Sequence, residues 1–424
     1  MLSIIGVVLS FIVIIVLIRY KFNFGLSLII GSILLGIFSL DKIDIIDIPK
    51  AMVQASFYSY DKNVFFSETI ELAILMTLIF MLAKMMQETK AISKLIESLR
   101  TIFTKGGTLG IIPAIYGLMP VPGGALFSAP VIKEEGGEFK LKKDTCNFLN
   151  IWFRHIWFPV YPISSNIIIM SALAGLTVTS LIYANFISFI VMIIIGLVLL
   201  SFFIKKYADD LQDRKRDISN IKKQSNGLIF LLPTIIPIFF AILHFLFKIS
   251  LVQSFILGVI TSIVVLLYIS KTPKAEYLSL FKKSITWKLA VVIFGIMIFR
   301  ELFEITKSNQ AIFNMLEGFN IPALLMIILL PIILGLISGY LLCGITLSYP
   351  LLIPFFSDTG LSNLGFASLI YMSAFVGYLI SPIHLCNVLS SDYLKTDTTR
   401  MYPVFIPAAI ILLVVHIIFV ITIL

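Results

Sequence analysis

The stretch GGALFSAP at 123–130 returns as CGITLSYP at 343–350, the same Gly-x-x-x-Ser-x-Pro spelled twice within apolar runs. Glycine and proline weaken a helix and serine competes for its backbone, so such segments predict irregular chain. FPVYPISSN at 158–166 and LISPIHLCN at 379–387 interrupt two further apolar runs. Backbone that unwinds inside a bilayer exposes N–H and C=O groups, each costly unless protein, water or a ligand satisfies it. The segments of the first half supply Ser128, Ser164, Ser165 and Asn166, and those of the second half supply Thr346, Ser348, Ser381 and Asn387. Hydroxyl and carbonyl oxygens suit a sodium ion, and half-helix N-termini suit an anion.

These residue types give a candidate substrate-binding set of Gly123, Gly124, Ser128, Arg154, Ser164, Ser165, Asn166, Gly344, Thr346, Ser348, His384 and Asn387. A coupling Na⁺ is expected near Ser128, Ser165, Asn166, Ser348 and Ser381, and no other cofactor is expected. Pro122, Pro130, Pro159, Pro162, Pro350 and Pro382 are the expected hinges or helix breaks. For any one serine the plainer role is helix packing or back-bonding to its own helix. Arg154 falls roughly 13 Å into its span at 1.5 Å per residue. An arginine there is either an anion ligand or a side chain that snorkels or bonds freed carbonyls. His384, inside the second interruption, is either a proton-sensitive or substrate-contacting group or a donor to an unwound carbonyl. His155, about 100° round from Arg154, reads as a scaffold residue.

The interrupted segments contain no Asp or Glu; the nearest acids in apolar runs are Glu68, Glu71, Glu301 and Glu304. A cation/proton antiporter wants a buried carboxylate, which weakens that alternative. No Walker loop, HExxH or nucleophile elbow is present, so the chain is not expected to be an enzyme. A hydrolase pairing Ser128 or Ser348 with His384 stays as the alternative from another class. Cys146, Cys343 and Cys386 have no metal-ligand spacing, and neither a disulfide nor a zinc site is expected.

The elements that carry these residues are membrane helices. With 59% apolar residues, 13% charged residues and a mean hydropathy of +1.05, the chain has too little polar surface to coat a soluble globule. Its net charge of +9 resides in short loops between apolar runs, so nucleic acid is not an expected partner and the bilayer is. Runs near 2–18, 23–40, 68–84, 178–204, 226–247, 250–270, 287–304 and 402–424 are each long enough to cross. The first is read as a retained span, since it has no basic start or small-residue cleavage site. Stretches 145–176 and 364–390 read as broken helices, and 107–132 and 321–356 as re-entrant hairpins with the repeated motif at their tips.

Placing both termini outside puts 25 of the 32 basic residues on the cytoplasmic side, which selects the hairpin arrangement over one with full crossings. Gly124, Ser128, Pro130, Pro162 and Ile163 recur as Gly344, Ser348, Pro350, Pro382 and Ile383 at one offset of 220. Each copy then holds five spans, an odd number, so the second enters the membrane inverted. The expected fold is an all-α polytopic protein of about ten transmembrane helices and two re-entrant hairpins. Residues 1–204 form the first inverted repeat, 205–225 a cytoplasmic linker and 226–424 the second repeat.

VPGGALFSAPVI at 121–132 and SPIHLCNVLSSDY at 381–393 resemble, over essentially the whole chain, an integral-membrane family catalogued as domain of unknown function 401. That family looks like a branch of the ion-transporter superfamily, with gluconate permease, citrate and dicarboxylate carrier and arsenite-pump relatives. The resemblance implies a scaffold domain, a mobile transport domain, a homodimer and an elevator movement. The Ser-Asn-Thr signature of the dicarboxylate carriers is absent from both tips. The expectation is a multi-pass secondary active transporter of the cytoplasmic membrane, moving a small organic anion with Na⁺ or H⁺.

Overall fold

The computed structural model describes residues 2–59, 64–65, 68–102, 106–118, 124–205, 225–247, 249–317 and 321–424. The first part of the chain forms α1 (Leu2–Arg19), α2 (Phe24–Ile37), α3 (Asp47–Ser56), α4 (Glu68–Glu88) and α5 (Ala91–Ile102). It continues through α6 (Thr108–Gly117), α7 (Ala125–Glu138), α8 (Lys143–Arg154), α9 (Ser165–Ala174) and α10 (Val178–Lys205). After a 3₁₀ turn at Ser225–Leu231 come α11 (Leu232–Phe247), α12 (Leu251–Ile269), α13 (Tyr277–Ser284), α14 (Lys288–Ile305) and α15 (Ser308–Glu317). The last part is α16 (Ala323–Ser338), α17 (Leu341–Leu352), α18 (Asn363–Ile380), α19 (Leu385–Leu394) and α20 (Tyr402–Ile423). Two strands, β1 (Tyr58–Ser59) and β2 (Val64–Phe65), pair antiparallel.

Helices dominate because hydrocarbon offers no hydrogen bonds, so each spanning segment must satisfy its backbone internally. Among the described residues seven helical stretches are long and apolar enough to cross a membrane, and the chain is a membrane-embedded protein. At 14 residues α2 is not one of them, and α14 carries Arg300, Glu301 and Glu304 near its end. Helix ends are written plainly in the sequence. Asn23, Ser250 and Ser362 cap α2, α12 and α18 through their side chains. Among the described residues every non-glycine with positive φ is a lysine just past a helix end: Lys21, Lys90, Lys140, Lys271, Lys307 and Lys395. A cation there answers the negative end of the helix dipole in the left-handed position that usually takes glycine.

The helices gather in two bundles. In one, α2 packs on α1 and α14, α4 packs on α12 and α14, and α11 packs on α12. Gly25 and Gly295 let the α2 and α14 backbones touch, the small-residue contact that substitutes for a hydrophobic driving force in lipid. The other bundle contains α6 to α10 and α16 to α20, with α16 seated on α18 and α10 on α20. Within it α9 packs on α17 and α18, while α19 packs on α7 and α8. Helices α9 and α19 run 165–174 and 385–394, and α8 and α18 begin at 143 and 363, all at the offset of the sequence motif.

Three expectations are corrected here. CGITLSYP is not a tip, since 343–350 lies wholly inside α17, whereas Gly124 is the N-cap of α7 and residues 119–123 before it lie outside the described ones. The second turn falls instead at Gly339, whose φ of +62° a Cβ would oppose. Pro130 and Pro350 sit inside α7 and α17 and break neither, because neighbouring helices in a membrane can re-satisfy what a proline frees. Finally, α7 runs on to Glu138 where the loop 133–143 was expected, and the first helix break opens at His155, not at Phe158. Pro122 and Gly123 lie outside the described residues, as does nearly all of the 205–225 linker.

Candidate functional site

Both interrupted helices are present, with α8 ending at Arg154 and α9 starting at Ser165, and with α18 ending at Ile380 and α19 starting at Leu385. Pro159 and Pro162 fall in the first interruption and Pro382 in the second. Side chains answer the carbonyls freed there. Tyr371 donates to Phe158 O at 2.6 Å, Tyr402 to Ile380 O at 2.8 Å, and Ser381 to Leu336 O at 2.7 Å. Asn387 Nδ2 bonds both Leu379 O and Ser381 O at 3.1 Å. Asn387 and Ser381 thus stabilise the break itself.

Asn147, Asn150 and Arg154 are spaced three and four apart, so they form one polar face of α8. That face meets α19 running the other way. Asn147 bonds Ser391 at 3.0 Å, and Asn150 bonds Ser390 at 2.8 Å and Ala125 O at 2.9 Å. Ser128 donates to Asn150 Oδ1 at 2.5 Å, so this serine belongs to a closed network between α7, α8 and α19. Beyond it lies Arg154, only 3% exposed, with Nη1 donating to Tyr116 O at 2.6 Å at the C-terminal end of α6. A Cβ on Gly124 would overlap the guanidinium, and one on Gly117 would overlap the Arg154 carbonyl oxygen. Arg154 is therefore held where α6 ends, α7 begins and the first break opens, and its charge acts on His384 and Cys386 of the second.

His155 joins this group and is not a remote scaffold residue. Its Nδ1 faces Ile151 O at 2.7 Å and its Nε2 faces Tyr378 Oη at 3.3 Å. The His155 and His384 rings stand edge to face with centroids 4.8 Å apart, and the Tyr378 ring lies 3.9 Å from that of His384. His155, His384 and Cys386 offer ligating atoms within 4.8 Å of one another, all buried. Neither nitrogen of His384 has a well-aligned hydrogen-bond partner, although the Leu379 carbonyl approaches the ring. His384 and Cys386 stand two apart, but His155 lies in the other half of the chain, so spacing alone does not join the three.

The remaining candidates are placed differently. Ser164 is the N-cap of α9 without a capping bond and receives Asn166 Nδ2 at 3.4 Å; Ser165 begins the helix. On α17, Gly344 lies against Ala374 Cβ at 3.0 Å and Gly335 Cα at 3.3 Å, a packing contact and not a turn. Thr346 Oγ1 and Ser348 Oγ are fully buried without a hydrogen-bond partner, as is Asn387 Oδ1. Two buried groups carried no expectation. Glu135, near the C-terminal end of α7, accepts from Thr108 at 2.8 Å. His416 lies between Ser188 at 2.8 Å and Ser368 at 3.1 Å, with Ser368 also bonded to Asn185. For the asparagines, the three-and-four spacing to Arg154 was the available signal.

A family model described as Protein of unknown function (DUF401) matches residues 1–422, and the chain belongs to that family. No curated protein matches it.

Proposed function

We propose that this DUF401 member is a secondary active transporter that moves a small organic anion by alternating access, coupled to Na⁺ or H⁺. The observation that carries the reading is Arg154, a buried cation fixed at the N-terminal end of α7 beside both helix breaks. Guanidinium and helix N-terminus together supply positive potential where a carboxylate or oxyanion can be gripped bidentately. Paired helix breaks, one from each repeat and meeting near the bilayer midplane, are how secondary transporters build such sites. The recurrence of helix bounds at one offset supports two inverted repeats, 1–204 and 226–424, joined by a cytoplasmic linker. In this reading α6 with α7 and α16 with α17 are the re-entrant hairpins, ten helices span the cytoplasmic membrane, and both termini face outward.

The bundle containing both breaks is the mobile element of an elevator, the other bundle is the scaffold of a homodimer, and the chain is a relative of the ion-transporter superfamily. For the coupling ion the oxygens of Thr346, Ser348 and Asn387 stand out as lacking a partner, whereas the Ser128 and Ser381 hydroxyls already bond protein. The hydrolase reading has less support. Ser128 bonds Asn150 and Ser348 Oγ has no partner, so neither serine is hydrogen-bonded to His384 as a base. For the antiporter, the buried carboxylate of Glu135 lies near the far end of α7 from Gly124.

Thermal unfolding of purified protein against carboxylates, sugar acids, amino acids and oxyanions, with and without Na⁺, tests the reading. A ligand at 100 times its Kd stabilises by about 2.7 kcal/mol. Arg154→Gln should weaken binding of the stabilising anion and its uptake into proteoliposomes at least tenfold, about 1.4 kcal/mol. A folded Arg154→Gln protein that binds and transports like wild type would sink the proposal.

A further inference from the structure

We propose that His155, His384 and Cys386 bind one thiophilic d¹⁰ metal ion, and that the ion is Cu⁺. The ligands come from both breaks: His155 is the first residue beyond α8, His384 is the N-cap of α19, and Cys386 lies in its first turn. Their ligating atoms are within 4.8 Å of one another. Three ligands around one such ion stand about 3.3–3.8 Å apart, given metal–nitrogen and metal–sulfur bonds of about 2.0 and 2.3 Å. Small side-chain rotations close the difference. His155 is already oriented, because Nδ1–H donating to Ile151 O, the outer contact that metal-binding histidines usually make, turns the Nε2 lone pair inward, where it faces Tyr378 Oη at 3.3 Å and a metal would displace that hydroxyl. His384 supplies the independent sign of a missing ligand: fully buried, it has no well-aligned hydrogen-bond partner at either nitrogen, and the Leu379 carbonyl that approaches its ring can serve at most one of them. Buried polar groups are normally satisfied, and a metal bond satisfies this one.

Two imidazoles and a thiolate form a soft set that selects copper or zinc over sodium, magnesium or calcium. Charge decides between them. On binding, the thiol proton leaves to solvent and a sulfur–copper bond forms, so thiolate and Cu⁺ cancel. Zn²⁺ would leave an extra positive charge in a buried site that already feels the Arg154 cation. The inference does not depend on the transport reading, since a resident metal could serve any function of this centre.

The test uses full-length protein in detergent, stripped by chelator under anaerobic reducing conditions. It is then equilibrated with Cu⁺ buffered by bicinchoninate, or with Zn²⁺ buffered by a chromophoric chelator. The expected result is one retained Cu⁺ per chain, with a copper-edge X-ray absorption spectrum showing one sulfur and two nitrogen neighbours. Cys386→Ser and His384→Gln should each lower retention at least tenfold, while Cys146→Ser and Cys343→Ser keep it. The absorption spectrum of wild type needs no variant, so misfolding of a mutant cannot shield the proposal. No retained Cu⁺, a spectrum without sulfur, full retention in folded Cys386→Ser, or retention of Zn²⁺ in place of Cu⁺ would each overturn it.

Discussion

Position 124 faces position 154 in one half of the chain, and position 344 faces position 374 in the other, the same pair shifted by 220 residues. The glycine is kept in both copies, but what it makes room for is an arginine in the first and an alanine in the second. The adjoining contact repeats nearly as well, for Gly117 presses on the Arg154 carbonyl and Gly335 on the Ala374 carbonyl. Ser128 and Ser348 differ in the same sense. Around Ser128 stand Asn150 and Ser390; the corresponding positions beside Ser348 are Ile370 and Met170, and its hydroxyl is left unpartnered. The duplicated feature is therefore a way of packing two helices closely in lipid, while the chemistry has been rewritten in each copy. Gly-x-x-x-Ser-x-Pro is a packing device first.

Making the two copies alike should break that comparison most severely. Ala374→Arg places an arginine against Gly344 with no counterpart of the first site, and an uncompensated buried charge costs about 3–5 kcal/mol. Thermal unfolding that left this variant as stable as wild type would show that the second copy keeps a receptive site. The glycines should separate next. Gly124→Ala collides with the guanidinium and should cost about 1–3 kcal/mol together with anion binding. Gly344→Ala should stay within about 1 kcal/mol of wild type, because the gain in helix propensity offsets crowding against Ala374. Equal losses in the two would mean that Arg154 is not what distinguishes the halves.

Asn150→Ala strands Ser128 and should destabilise by about 1–3 kcal/mol, as much as Gly124→Ala. The serines sharpen the comparison most finely. Ser128→Ala should cost about 1 kcal/mol and leave ion dependence alone. Ser348→Ala should leave stability nearly unchanged and shift apparent Na⁺ affinity in uptake assays. Identical sodium curves for wild type and Ser348→Ala would remove that hydroxyl from the ion site.

Much of this architecture is legible in the sequence because apolar run length is a strong signal. Residues 178–204 and 402–424, for example, become Val178–Lys205 and Tyr402–Ile423. Both breaks are visible through paired prolines beside hydroxyl residues. The second tip is misjudged for a physical reason: glycine and proline are poor in water-exposed helices, but in lipid the backbone has no competing partner and small residues sit at helix contacts. The polar face of Asn147, Asn150 and Arg154 is readable from its spacing. What Cys386 and His155 meet is not, because their neighbours are set by α19 crossing onto α8 from the other half of the chain.

That crossing sets a clock for biogenesis. The Phe158 carbonyl in the first break is bonded by the hydroxyl of Tyr371, 213 residues further along. At a synthesis rate of about 5–20 residues per second, the ribosome needs about 10–40 s to deliver that donor after the break has been made. For that interval the first half resides in the bilayer with an opened helix that its own residues do not close. A nascent chain stalled before Tyr371 should therefore be the species most dependent on insertase or chaperone protection, and the most readily degraded.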